Sequence, residues 1–395
     1  MYDRKTRNNH FVPQFYLKKF CDGQKLYVLN KKTGRIQEKN TTKTVASKKD
    51  LYTLRKKIDK NDIQFCTNIF PPQLITDLDK ATLKLLTLFL NDELGKIINM
   101  RSLVELLGGN NEVQEYMEKK WEEAMINQSY SMQQEALMGL YETGFLSVLE
   151  KILSADKMDF LDQTKKDFPE VKIYLYEKIN SFIIKAMQEI SAKHVFDRPS
   201  KLEKMFSPME NDFINLVHYM NVQFSRTAKK YNDIFEKEEI KEKLEKLHVD
   251  PKNVMALILN YKLIDTTSNL CEKGFHVVLI KNGTRTDFIA SDNPVVNIHS
   301  GWKMTNEMTA KDFELYMPVT PKRGLLLTNN PVYNQTVEFF LHEEDIHHWN
   351  HAVIKNSEQD LYSGSRETLE QLRKKYNWEQ TGHTGKTLLD PSLSC

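Results

Sequence analysis

Apolar positions recur along this chain with two different periods, and the period changes twice. Residues 10–20, HFVPQFYLKKF, read as a short helix or turn entering the fold, with Pro13 suited to a first helical turn, where its missing N–H costs nothing. In KLYVLNKKTGRIQ at 25–37, alternating apolar residues flank Asn30 to Gly34, which predicts a β-hairpin with glycine supplying the positive φ. TVASKKDLYTL at 44–54 is expected to continue that sheet. From about 72 to 265 a spacing of three and four takes over, and helices are expected within 74–107, 112–155, 170–195, 208–245 and 252–264. Gly108-Gly109, Pro169, Pro199 and Pro208 punctuate them. Strand signals return at 274–298, where GFHVVLI, a turn over Lys281 to Thr284 and RTDFIA predict a second hairpin. ELYMPVTPKRGLLLT at 314–328 predicts two strands about Pro321, followed by a helix at 343–357, a strand at 360–363 and a polar tail from about 380.

Strand material thus sits at both ends, with helices between. The expected class is α+β: a small mixed or antiparallel sheet built from both chain ends, with a large helical insertion. A two-stranded hairpin is marginal alone, so the two ends are expected to share one sheet, which brings residues near 10 close to residues near 292. The corresponding division is 1–70 for the N-terminal helix and hairpin, 71–265 for the helical region, 266–380 for the β-rich segment and 381–395 for the tail.

Composition narrows the setting. Fifty-six basic and 54 acidic side chains leave a formal charge of +2, so no general electrostatic pull toward nucleic acid or an anionic membrane exists. Charge is uneven locally: Lys18, Lys19, Lys48, Lys49, Arg55, Lys56 and Lys57 make the N-terminal region basic, as a phosphate-steering patch or as lysines that guard a sheet edge. Cys21, Cys66, Cys271 and Cys395 form no CxxC pair and read as reduced thiols, with Cys66 and Cys271 in the core. The longest apolar run, LKLLTLFL at 83–90, is broken by Lys84 and Thr87, and the polar N-terminus lacks a signal-peptide core. The expectation is a cytoplasmic protein with no membrane partner.

Five boxes carry the remaining polar signal: HFVPQFYLKKF at 10–20, VQFSRT at 222–227, FIASDNPVV at 288–296, LYMPVTPKRGLLLT at 315–328 and HHWNHAVIKNSEQDLYS at 347–363. Together they resemble the largely uncharacterised bacterial domain of unknown function 4238 family, nearly end to end. The resemblance implies that the family's polar marks fall on His10 and Gln14, Gln223 and Arg226, Asp292 and Asn293, and Asn350; Ala228 replaces the proline usual after the QxxRT box. An association of such proteins with accessory or defence loci accompanies the resemblance.

The residue types make chemical sense as one site. Histidine moves protons near neutral pH, an aspartate can hold its tautomer, and a guanidinium fork suits phosphate or carboxylate. The expected function is a nuclease-like hydrolase acting on a phosphate-containing substrate, nucleic acid or nucleotide. His10 is its general acid or base, Asp292 the orienter, Arg226 the phosphate clamp, and Gln14, Gln223, Asn293 and Asn350 position the substrate. Two other classes stand beside it. One is a non-catalytic sensor binding a nucleotide or a protein, with the helical region as a protein-partner surface; the other is an ADP-ribosyltransferase-like enzyme. Structural readings compete at each residue: SDNP is an ordinary Asx-turn sequence, His10 can bond a backbone carbonyl, and Arg226 can pair with Asp292. No cofactor is implied and no metal ligand is assigned, although a divalent metal is compatible with hydrolysis. His342, His347, His348 and His351 include an HxxxH pair without the glutamate of HExxH, which favours a solvated helix over a metal site. Tyr116, Trp121, Tyr130 and Tyr141, interleaved with Lys119 and Lys120, have the helical spacing of core residues more than that of a base-stacking surface.

Overall fold

The computed structural model describes residues 8–49, 56–69, 212–227, 237–299, 313–333 and 338–378, with scattered positions between 83 and 175 and residue 235. From the N-terminus run β1 (Asn8–His10), α1 (Gln14–Lys18), β2 (Leu26–Asn30), β3 (Ile36–Lys39), β4 (Ser47–Lys49) and α2 (Lys60–Ile69). The helices α3 (Asp212–Ser225), α4 (Glu238–Lys246) and α5 (Pro251–Glu272) follow. The C-terminal part holds β5 (His276–Asn282), β6 (Ala290–Ser291), β7 (Val296–Asn297), β8 (Leu315–Thr320), β9 (Arg323–Thr328) and β10 (Glu338–Leu341). It ends with α6 (Glu343–Asn356), β11 (Asp360–Ser363) and α7 (Arg366–Lys375).

The class is α+β, as expected, and the chain ends do share a sheet. In the four-stranded antiparallel sheet β3-β2-β11-β6, Leu361 lies opposite Leu29 on one side and Ser291 on the other. The β material is divided, however, where one sheet was expected. A second sheet, β10-β5-β9-β8-β7, is antiparallel except for the parallel β10–β5 pair.

The continuous apolar runs of β5 and β9 explain that second sheet. Val277, Leu279, Leu325 and Leu327 face a core shared with α3, whereas Val278, Ile280 and Leu326 face a second core under α6. A strand covered on both faces needs no polar alternation. The sheet is the wall between two apolar layers, and burial on both sides fixes its register.

Three local expectations are corrected. β4 pairs with β1 as a separate ribbon instead of extending the hairpin sheet, with His10 opposite Ser47. The expected hairpin after β5 does not form. Asn282 holds its own turn through Thr284 N and Thr286 O, the Phe288 N–H donates to Pro321 O, and Ala290–Ser291 crosses into the other sheet. Pro13 is the N-cap residue of α1, one position before the first helical turn. The hairpin β2–β3 does form, with Gly34 at φ 64°, as does the β8–β9 pair.

Gly364, just after β11, locks the C-terminal strand onto the N-terminal box. A Cβ there would stand 2.8 Å from Phe20 O and 2.9 Å from Asp22 N, both backbone atoms with little room to yield. Gly364→Ala is expected to destabilise the fold by about 1–3 kcal/mol, the usual range for overpacking. Urea unfolding checks this, and an unchanged midpoint contradicts the close approach.

Candidate functional site

His10 ends β1, and the peptide direction then turns through Pro13 into α1. Pro13 lacks an N–H and holds extended geometry, so it starts the helix abruptly and places Gln14 four residues after His10. His10 Nδ1 lies 3.1 Å from Val45 O, and the Gln14 side-chain nitrogen lies 3.0 Å from His10 Nε2. A carbonyl only accepts, so in the neutral ring the proton sits on Nδ1 and Nε2 accepts from the Gln14 amide. The orienter of His10 is therefore Val45 O and not Asp292.

α3 is apolar almost all round, yet it carries His218, Asn221 and Gln223 in buried positions. His218 Nδ1 and the Asn221 amide reach Thr267 Oγ on α5 at 2.9 and 3.2 Å. A different face meets α1: the Tyr219 ring lies 6.2 Å from Phe15 and stacks on Phe145 at 3.7 Å. Gln223 follows Tyr219 by four residues and Arg226 by seven, so all three share that face. Helical geometry reaches Arg226, whose N–H still donates to Val222 O at 3.0 Å. The Phe15–Tyr219 contact sets α1 against the face of α3 that carries Gln223 and Arg226, while His10 and Gln14 contact each other.

Two features of that junction matter chemically. Arg226 is only 4% exposed, a guanidinium held inside the protein. Gln223 is 0% exposed, and among the described residues neither its amide oxygen nor its amide nitrogen has a hydrogen-bond partner. Such a group costs free energy unless something else satisfies it.

The remaining site candidates serve the fold. The carboxylate of Asp292 accepts the backbone N–H groups of Glu358, Gln359 and Asp360 at 2.9, 2.6 and 2.9 Å, knotting the end of β6 to the start of β11. Asn350 on α6 takes the Ile289 N–H at 3.1 Å and donates to Asp287 O at 2.8 Å, standing in for a missing strand partner. Asn293 donates its amide to Asn356 O, and its backbone is held by Ser291 Oγ. These contacts give Asp292, Asn293 and Asn350 structural roles in the sheet.

Sequence reasoning missed the phenols of Tyr16, Tyr316 and Tyr362. All three hydroxyls are buried with no hydrogen-bond partner among the described residues, and burial pushes each pKa well above the ordinary tyrosine value. The charge on Tyr16 would add to the rise at both of the others, and Asp292 and Asp360 add to it at Tyr362, so residues of the first, fourth and fifth boxes stand near one another. The signal was present as one tyrosine in each of those three boxes.

The histidine helix is packed into a different role. His351 Nδ1 lies 2.7 Å from Tyr376 Oη and stacks on that ring, and the His342 N–H donates to Asp345. Among the described residues no group of three His, Cys, Asp or Glu is placed to hold a metal ion, and no helix is long and apolar enough to cross a membrane. Cys66 and Cys271 are buried thiols, Cys271 pushed up to about 12 by desolvation. In the basic N-terminal patch, Lys56 is tied to Asp59 at 3.1 Å and to His248 O. Arg55, Ala228, Cys395 and the aromatic residues from Tyr116 to Tyr141 lie outside the described residues, as does most of the helical region before α3.

The chain matches the family described as "Protein of unknown function (DUF4238)" over residues 8–367. It belongs to the DUF4238 family. The match begins at β1 and ends inside α7, so it takes in both halves of the shared sheet and the α1–α3 junction of this DUF4238 protein. No curated protein and no solved structure matches the chain.

Proposed function

We propose that the α1–α3 junction binds a phosphate-containing ligand, a nucleotide or a nucleic acid. Arg226 meets the anion, while Gln223, Gln14 and His10 fix the ligand's polar groups. The observation that carries this reading is Gln223. Leaving a buried amide unbonded costs about 1–3 kcal/mol, a penalty that leucine or methionine at the same place avoids. A ligand that engages both amide atoms removes the penalty, and a planar guanidinium one turn further on is suited to an anionic oxygen pair.

Isothermal titration with pyrophosphate, ATP, and short single-stranded RNA and DNA tests this. At least one is expected to bind saturably, and Arg226→Gln is expected to abolish that binding. Absence of binding by all four at millimolar concentration overturns the reading. Gln223→Met is expected to stabilise the unliganded protein by about 1–3 kcal/mol and to weaken ligand binding at the same time. A loss of stability instead shows that the amide is satisfied within the folded chain.

Nuclease-like hydrolysis of that ligand is the second reading, favoured by the fixed tautomer of His10. With Nδ1–H held by Val45 O, Nε2 is the nitrogen that takes a proton. Water attacks phosphorus, its proton passes to Nε2, and the leaving oxygen departs with a proton returned from the imidazolium. Gln14 shares Nε2 in the resting site and has to give way to that water. Incubation with RNA and DNA, with and without EDTA, decides between the readings. Turnover lost in His10→Ala supports the hydrolase, and intact substrate with undiminished binding leaves a recognition module.

A further inference from the structure

β8 and β9 set Leu315 opposite Leu327, so Glu314 and Thr328 form the next pair at that end of the five-stranded sheet, on the face of Tyr316 and Leu326. Glu314 is 3% exposed and Thr328 0%. A carboxylate withdrawn that far from water is costly unless it is paired. One of its oxygens accepts from Thr328 Oγ, and the other lies 2.7 Å from His299 Nε2. Asn297 Oδ1 accepts the backbone N–H of both residues, at 3.3 Å from His299 and 3.0 Å from Glu314, so the pair is fixed at the backbone as well as at the ring.

A carboxylate only accepts, so Nε2 carries the proton and Nδ1 the lone pair. The His299 side chain is 31% exposed, and Nδ1 has no hydrogen-bond partner among the described residues. We infer that this pair is a catalytic site separate from the α1–α3 junction, in which Glu314 orients His299 and Nδ1 activates water against a neutral acyl ester bearing an apolar group. Nδ1 takes a proton from water as the water oxygen bonds to the carbonyl carbon, and the Glu314 carboxylate balances the imidazolium. The carbon–oxygen bond to the alcohol then breaks, and the Nδ1 proton leaves with the alcohol oxygen.

The surroundings select the substrate class. The turn Pro331–Tyr333 follows directly on β9: the Asn330 N–H donates to Thr328 Oγ at 2.9 Å, and His276, opposite Thr328 on β5, donates from Nε2 to Tyr333 O at 3.0 Å. Val332 in that turn is 78% exposed, and Tyr333 meets Phe339 edge-on at 5.6 Å, which makes an apolar shelf beside the pair. Burial, then the charges of Glu314 and Asp345, raise the Tyr333 pKa and keep the phenol an O–H donor. Those charges are acidic, so they repel a phosphate and admit an uncharged ester.

Hydrolysis of p-nitrophenyl butyrate by the full chain tests the inference. Turnover is expected to exceed that of free imidazole at equal concentration by about 100-fold or more. His299→Ala is expected to lower kcat/KM roughly 10-fold or more, whereas His347→Ala and His348→Ala, exposed histidines of α6, leave it unchanged. Glu314→Gln keeps the shape without the charge and is expected to lower kcat with KM unchanged; Val332→Asp is expected to raise KM with kcat unchanged. Should Glu314→Gln fail to fold, His299→Ala decides alone, because it removes a half-exposed side chain. A rate no greater than that of imidazole, full activity in His299→Ala, or p-nitrophenyl phosphate cleaved as fast as the butyrate overturns the inference.

Discussion

Replacing Asp292 by alanine is expected to destabilise the protein by about 3–5 kcal/mol, the range seen when a buried hydrogen-bonded cluster is broken. The carboxylate is 7% exposed and accepts three consecutive peptide N–H groups, from Glu358 to Asp360. Alanine removes the acceptor from all three part-buried donors at once. The damage concentrates where β6 joins β11, because β6 is only two residues long and depends on that knot, together with the Asp292 N–H to Asp360 O bond, for its place in the sheet. Asp292→Asn keeps the size and one acceptor oxygen, so it should recover part of the loss. Chemical denaturation of both variants checks the order wild type, asparagine, alanine. If Asp292→Ala retains wild-type stability but loses ligand binding or turnover, the residue is a site residue after all and the structural assignment is wrong.

That residue also marks the boundary of what could be read from the chain in advance. The β2–β3 hairpin, the β8–β9 pair and the start of α6 were legible because their determinants are local: a glycine at positive φ, a proline between two apolar runs, and three acidic residues in a first helical turn. The convergence of the ends was legible too, since two-stranded pieces require partners. What β6 pairs with was not. Ala290 and Ser291 are too few to show a period, and their partner β11 lies some seventy residues later. The fate of Asp292 was hidden for a related reason: its partners are peptide N–H groups, which every residue type but proline supplies and no letter announces. α7 escaped because only Leu369 is buried in it; a serine cap and a basic last turn hold it, and these give no apolar stripe. His10, Gln14, Gln223 and Arg226 were nameable from the boxes. That Gln223 would be the one left without a partner follows only from packing on every side of α3.

The same packing predicts acid sensitivity. His218 is buried between α3 and α5 beside Thr267, and desolvation lowers its pKa to about 3 from an ordinary value of 6.5. In the unfolded chain the imidazole takes a proton as pH falls through 6.5, whereas in the folded protein it stays neutral until about 3. Across that window the unfolded state binds more protons, so stability falls as pH falls. Complete passage through the window removes on the order of 4–5 kcal/mol, at about 1.4 kcal/mol per pH unit; at pH 4.5 about 2–3 kcal/mol is gone. Asp360 works in the opposite sense. Its folded pKa is raised, first by desolvation and then by Asp292, so its contribution is present at low pH and is lost as pH rises. The net profile therefore mixes both, and the informative measurement is a difference between proteins. His218→Gln cannot be charged and keeps a polar group near Thr267. Its urea midpoint should fall less than that of the wild type between pH 7.5 and 4.5, by an amount equivalent to about 2–3 kcal/mol. Parallel curves for the two proteins mean that the His218 ring reaches water in the folded state, and the tight packing of α3 on α5 is then incorrect. Because Gln223 lies on the same helix, that outcome also removes the ground for treating its unbonded amide as a sealed site.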